Sequence, residues 1–100
     1  MNVVKEKWNE IIELLRVEHE LSNISFTTWI QPLKVYDVVD NTVFILVNIN
    51  ASVEYIEKKY LLPLTACIGE ITGIEFKVVF ISEDDEKLNE IHTMALETNQ

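Results

Sequence analysis

Ser25-Phe26-Thr27-Thr28-Trp29-Ile30-Gln31-Pro32-Leu33 is the stretch on which the fold turns. Phe26, Trp29 and Ile30 stand at i, i+3 and i+4, one apolar stripe of a short helix, and Ser25 is of a type that caps such a helix at its start. Pro32 ends it, because proline has no amide proton to donate and disfavours helical geometry in the residue before it, Gln31. Helical patterning therefore stops there and extended patterning begins. From Leu33 to Val39 and from Thr42 to Val47 the residues are mainly β-branched or aromatic. They are joined by Asp40-Asn41, two types that tolerate the positive φ of a tight hairpin.

Toward the N-terminus, Val4, Trp8, Ile11, Ile12 and Leu15 recur at steps of three and four, which predicts one helix from about Val3 to Leu21. Glu6, Glu10 and Glu13 take its other face, and Ser22-Asn23 interrupts the pattern. Toward the C-terminus, Asn50 or Ser52 can cap a third helix along which Val53, Ile56, Tyr60, Leu64 and Cys67 share a stripe. Pro63 lies inside it and predicts a kink, or a break into two helices, near Leu61. Gly73 supplies the stop, after which Ile74, Phe76, Val78 and Phe80 alternate as a third strand. The fold class is α+β in the order α-α-β-β-α-β: two N-terminal helices, a β-hairpin, a long third helix and a third strand, with the helices packed on a three-stranded sheet.

Every long apolar stripe falls within residues 3–81, which are expected to fold as one unit. Residues 82–100 hold six acids and one lysine, including the run Glu83-Asp84-Asp85-Glu86. This acidic tail reads equally as a solvated linker or as a short helix with Leu88, Ile91 and Ala95 on a narrow stripe.

One hundred residues, 48% hydrophobic and 25% charged with two Gly and two Pro, make a single globular domain. Seventeen acids against eight bases give a net charge of -9. Binding to a phosphate backbone runs on Lys and Arg, so nucleic-acid binding is expected to be weak at most. One cysteine cannot close an internal disulfide, no signal-peptide core opens the chain, and charges break every apolar run short of a membrane span. A cytosolic protein is expected.

Catalytic chemistry finds no foothold. His19-Glu20 lacks the second histidine that a zinc-binding helix needs, since position 23 is Asn, and no metal is expected. No Gly-x-Ser-x-Gly elbow is present, and Cys67 sits on an apolar stripe, where a thiol behaves as a small core hydrophobe. Gly69 and Gly73 are too few for a phosphate cradle, so no nucleotide cofactor is expected. Asp37 and Asp40 are ordinary acids beside a turn. A binding role remains, for which Trp8, near an exposed helix start, is a candidate contact.

The order of these features resembles a known module: Trp8-Asn9, then Ser25 through Leu33, Asp40-Asn41-Thr42, Glu54-Tyr55-Ile56-Glu57-Lys58-Lys59-Tyr60-Leu61, and Thr72-Gly73. The chain is similar, over residues 3–81, to the N-terminal domain of the bacterial chromosomal replication initiator family. That resemblance implies a KH-like fold and a non-catalytic docking platform. It implies weak self-association through the first helix, by Trp8 with Val4 and Ile11. It also implies docking of the replicative helicase or of initiation regulators on Ser25 and Thr28 of the second helix and Ile49, Asn50, Ala51 and Ser52 at the start of the third. Two departures stand out. The first helix is about two residues longer than the family pattern, which turns Trp8 by roughly 200° relative to the second helix, and Ala51 replaces an exposed aromatic. The rival expectations are a KH-like single-strand binder, which would need a Gly-x-x-Gly loop, and a free-standing competitor of the full-length initiator.

Overall fold

The computed structural model describes residues 2–48 and 51–98. Asn2 opens the first helix, its side-chain oxygen accepting from the amides of Val4 at 3.1 Å and Lys5 at 3.2 Å. The helix expected over 3–21 is two segments, α1 (Val3–Glu6) and α2 (Trp8–Glu18), because Lys7 leaves helical geometry at φ -102°, ψ 12°. It also ends earlier than its pattern: Glu20 turns left-handed at φ 48°, and the Leu21 amide donates back to the Arg16 carbonyl at 3.0 Å.

The second helix starts earlier than expected. Its cap is Ser22, whose hydroxyl accepts from the Ser25 amide at 3.0 Å, so Ser25 lies within the helix and not before it. From α3 (Asn23–Ser25) the chain runs into a π-helical turn over Phe26–Ile30, closed where the Gln31 amide donates to the Phe26 carbonyl at 2.8 Å. Pro32 then ends the helical run, as its chemistry requires.

Strands β1 (Lys34–Val39) and β2 (Thr42–Val47) form the expected hairpin, with Asp40 at φ 53° in its turn. Next comes α4 (Val53–Thr72), capped by the Ser52 hydroxyl on the Tyr55 amide at 3.2 Å and stopped by Gly73 at φ 72°. Pro63 does not divide it. An interior proline costs about 3 kcal/mol, whereas Tyr60, Leu64, Cys67 and Ile68 on both sides of it are buried, each large side chain contributing roughly 1.5–3 kcal/mol. Packing outweighs the lost hydrogen bond. Strand β3 (Lys77–Ser82) starts three residues after Ile74, which is exposed in the turn beyond α4. It pairs parallel to β2, giving a mixed α+β sheet of order β1-β2-β3.

The two faces of the sheet are covered differently. Val43, Ile45 and Val47 of β2 and Val78 and Phe80 of β3 join one core with Ile11, Leu15, Ile30, Ile56, Leu64 and Ile68. On the outer face lies α5 (Leu88–Thr98), formed by the acidic tail. Its Ile91 and Ala95 are buried, as is Ile81 of β3, outside the main core. A β-bulge between Val35 and Asp37 interrupts the alternation of β1 and lets two successive side chains reach this helix. The Tyr36 hydroxyl donates to the Leu88 carbonyl at 2.9 Å, and Asp37 Oδ2 lies 3.4 Å from His92 Nδ1. No helix among the described residues is long and apolar enough to cross a membrane.

This layering predicts the effect of removing the tail. Truncation after Ser82 leaves the main core whole, so the shortened chain should unfold cooperatively, about 2–4 kcal/mol less stable for the lost burial of Ile91 and its neighbours. A non-cooperative denaturant profile would mean that α5 belongs to the core. Cys67 provides a second check: burial first, then repulsion from Glu18 and Glu70, pushes its thiol from 9.0 up to about 11. The raised folded value means that its contribution to stability is complete below about pH 9 and is lost as the pH rises through about 11. At pH 8 a thiol reagent should label the native chain at least 100-fold more slowly than the urea-unfolded chain.

Candidate docking site

The π-helical turn sets the site. Adding a residue to the helical circuit pulls Trp29 off the buried stripe that its i+3 spacing from Phe26 predicts. Ile30 is fully buried, whereas Phe26 and Trp29 are only half-buried against the core. The Thr27 hydroxyl donates to the Asn23 carbonyl at 2.8 Å, a side-chain bond that competes with regular helical pairing at the same place.

Trp29 and Thr28 form one wall of a cavity of about 280 Å³. Pro32 and Leu33, where the chain leaves the helix, form its base; Asn48 beyond β2, with Ala51 and Ile56 around the start of α4, closes it. The ring of Tyr55 packs on Trp29 with centroids 4.7 Å apart and planes tilted by 44°. Tyr55 remains 40% exposed, so the aromatic pair is open to solvent along one edge. Lys59 Nζ donates to the Tyr55 hydroxyl at 3.2 Å and sits 5.6 Å from the centroids of both the Tyr55 and Tyr60 rings. That hydrogen bond, more than the ring charges, raises the Lys59 pKa above its ordinary value. Burial likewise raises that of Tyr60, whose hydroxyl makes no hydrogen bond among the described residues.

An aromatic-walled cavity with a polar rim and a fixed cation nearby is equipped to bind an apolar anchor from a protein partner. Of the residues expected to face a partner, Thr28 and Ala51 line this cavity. Ser25 is half-buried outside it, and the exposed Ser52 spends its hydroxyl on the α4 cap. Ile49 and Asn50 lie outside the described residues. Sequence reasoning does not find Trp29, Tyr55 and Asn48 as site residues. The adjoining β-branched pair Thr27-Thr28, unusual inside a helix, is the available signal for the irregular turn.

On the first helix the expected trio divides. Val4 and Ile11 are 0% exposed in the main core and offer nothing to a second copy, because the stripe that predicts the helix is also the stripe it buries. Trp8 is half-buried and borders a shallow hollow of about 330 Å³ with Lys5, Leu33, Lys34 and Val35. Gly69 lies inside α4 and Gly73 is its cap, so the pair does not form the Gly-x-x-Gly loop with which a KH domain clamps nucleic acid.

Known proteins carry related sequences. A chromosomal replication initiator protein DnaA from Lachnoclostridium phytofermentans is 38% identical over 99 residues, a span covering 94% of this chain and 22% of that protein. The chain thus spans about a fifth of the length of that relative, at its N-terminal end. The profile of the DnaA N-terminal domain matches residues 5–70, which takes in α2, the π-helical turn, the hairpin and most of α4. On these matches, the chain belongs to the DnaA N-terminal domain family.

Proposed function

We propose that this domain is a non-catalytic, KH-like docking platform of a replication initiator, receiving the replicative helicase or an initiation regulator at the Trp29–Tyr55 cavity and self-associating weakly through Trp8. The observation that carries the reading is the half-exposed Trp29 on an irregular helical turn, packed on an exposed Tyr55 above a pocket rimmed by Thr28 and Ala51. Aromatic anchors in such pockets dominate the energetics of protein interfaces. Family membership supports the same role. Ala51 lines the cavity with a single methyl group, so a partner gains less apolar contact there than from an aromatic side chain.

Thr28→Arg places a charge in the cavity from an exposed position, and Ala51→Arg does so from a half-buried one at the edge of the main core, without replacing a buried core residue. Each should weaken capture of purified replicative helicase, or of the regulator, at least tenfold, about 1.4 kcal/mol, without changing the unfolding midpoint. If both variants bind as the parent does, the cavity is not the docking site. For self-association, Trp8→Ala should abolish the concentration dependence of the sedimentation coefficient while costing under about 1.5 kcal/mol, because Trp8 is half-buried. A loss near 3 kcal/mol or more would mark Trp8 as a core residue instead.

A further inference from the structure

We propose a second docking surface on the opposite side of the sheet: the groove between α5 and β3, fitted to a basic amphipathic helix of another protein. Three strands, each occupying about 4.8 Å, make a face roughly 14 Å wide, more than the roughly 10–12 Å of one helix. Here that one helix lies along the β1 side, where Tyr36 and Asp37 hold Leu88 and His92. The β2–β3 half of the face is left as a groove of about 380 Å³.

Its walls are apolar. Phe44 and Val79, register partners on neighbouring strands, form the floor with Ile81. Ile91 and Met94 line the α5 side, Met94 being 42% exposed. A helix laid beside α5 at the usual 8–10 Å would complete a two-helix layer over the sheet, its apolar stripe seated in the groove. The charge of the occupant is set by the rim. Asp85 and Glu90 border the groove against one lysine, Lys87, and residues 83–90 together carry five acids and that single base. A second copy of this chain, at -9 overall, would meet repulsion there, whereas Lys and Arg flanking an apolar stripe would be complementary.

The surface is separate from the Trp29–Tyr55 cavity, which borders the main core on the opposite side of the sheet, so the two can be tested independently. The probe is a 14-residue peptide with Leu at helical i, i+3, i+4 spacing and Lys elsewhere, titrated against the full chain by fluorescence anisotropy. A Leu/Glu peptide of the same pattern and a scrambled Leu/Lys peptide serve as comparisons. The patterned Leu/Lys peptide should bind at least tenfold tighter than either. Met94→Lys and Glu90→Lys should each weaken it at least fivefold, while Ala51→Arg and Glu57→Lys, on the other side of the sheet, should change it less than twofold. Since Glu90→Lys and Glu57→Lys alter net charge equally, equal weakening by the two would show non-specific attraction and overturn the proposal. So would equal binding of the scrambled peptide, or affinity indifferent to Met94→Lys. Both groove positions are exposed, so the substitutions spare the core.

Discussion

Strand β2 is the constraint that everything else serves. It is the middle strand, antiparallel to β1 and parallel to β3, and so its backbone is paired on both edges. Its side chains alternate between Val43, Ile45 and Val47 on one face and Phe44 and Leu46 on the other. The first set is fully buried and demands a complete cover, which α2 and α4 supply. The second set is only half-buried, because α5 covers this outer face chiefly along β1. The parallel pairing with β3 requires a long crossover, and α4 is that crossover. Burial of Tyr60, Leu64, Cys67 and Ile68 on both sides of Pro63 keeps its 20 residues one helix.

The docking cavity arises where this packing meets the rim of the core. Ser22 starts the second helix one turn before the apolar stripe would suggest, and the turn must then widen to bring Ile30 into the core ahead of Pro32. Trp29 is the residue displaced outward by that adjustment, and Tyr55, placed by the Ser52 cap at the start of α4, receives it. Local backbone irregularity is thus converted into an exposed aromatic surface, a recurrent association for π-helical turns. The surface is open to solvent on one side and rigidly backed by the core on the other.

Much of this was legible in the sequence, for reasons particular to each element. The hairpin was readable because Asp40-Asn41 separates two β-branched runs, and the end of α4 because Gly73 has a single clear role; at its start Asn50 and Ser52 both qualify, and the structure uses Ser52. The α5 stripe of Leu88, Ile91 and Ala95 was visible, but three residues in an acidic tail do not reveal a sheet face waiting for them; that depends on tertiary context. The bulge at Tyr36 and the break at Lys7 leave no mark in periodicity. The i, i+3, i+4 spacing puts Trp29 on one stripe with Ile30 because it assumes an α-helix throughout, whereas the π-helical turn leaves Trp29 half-buried against the core. Val4 and Ile11 lay on a stripe that serves packing as readily as association, and only burial separates the two uses.

The central claim is a hierarchy: one main core built on the inner face of β2, and a thinner outer layer resting on its back. Amide hydrogen exchange under native conditions tests it directly. The amides of Val43, Ile45 and Val47 should exchange only by global unfolding, with a free energy equal to that from denaturant titration, while those of Ile91 and Ala95 should exchange at least 100-fold faster by local release of α5. Equal protection of both sets would show a single cooperative unit and contradict the account.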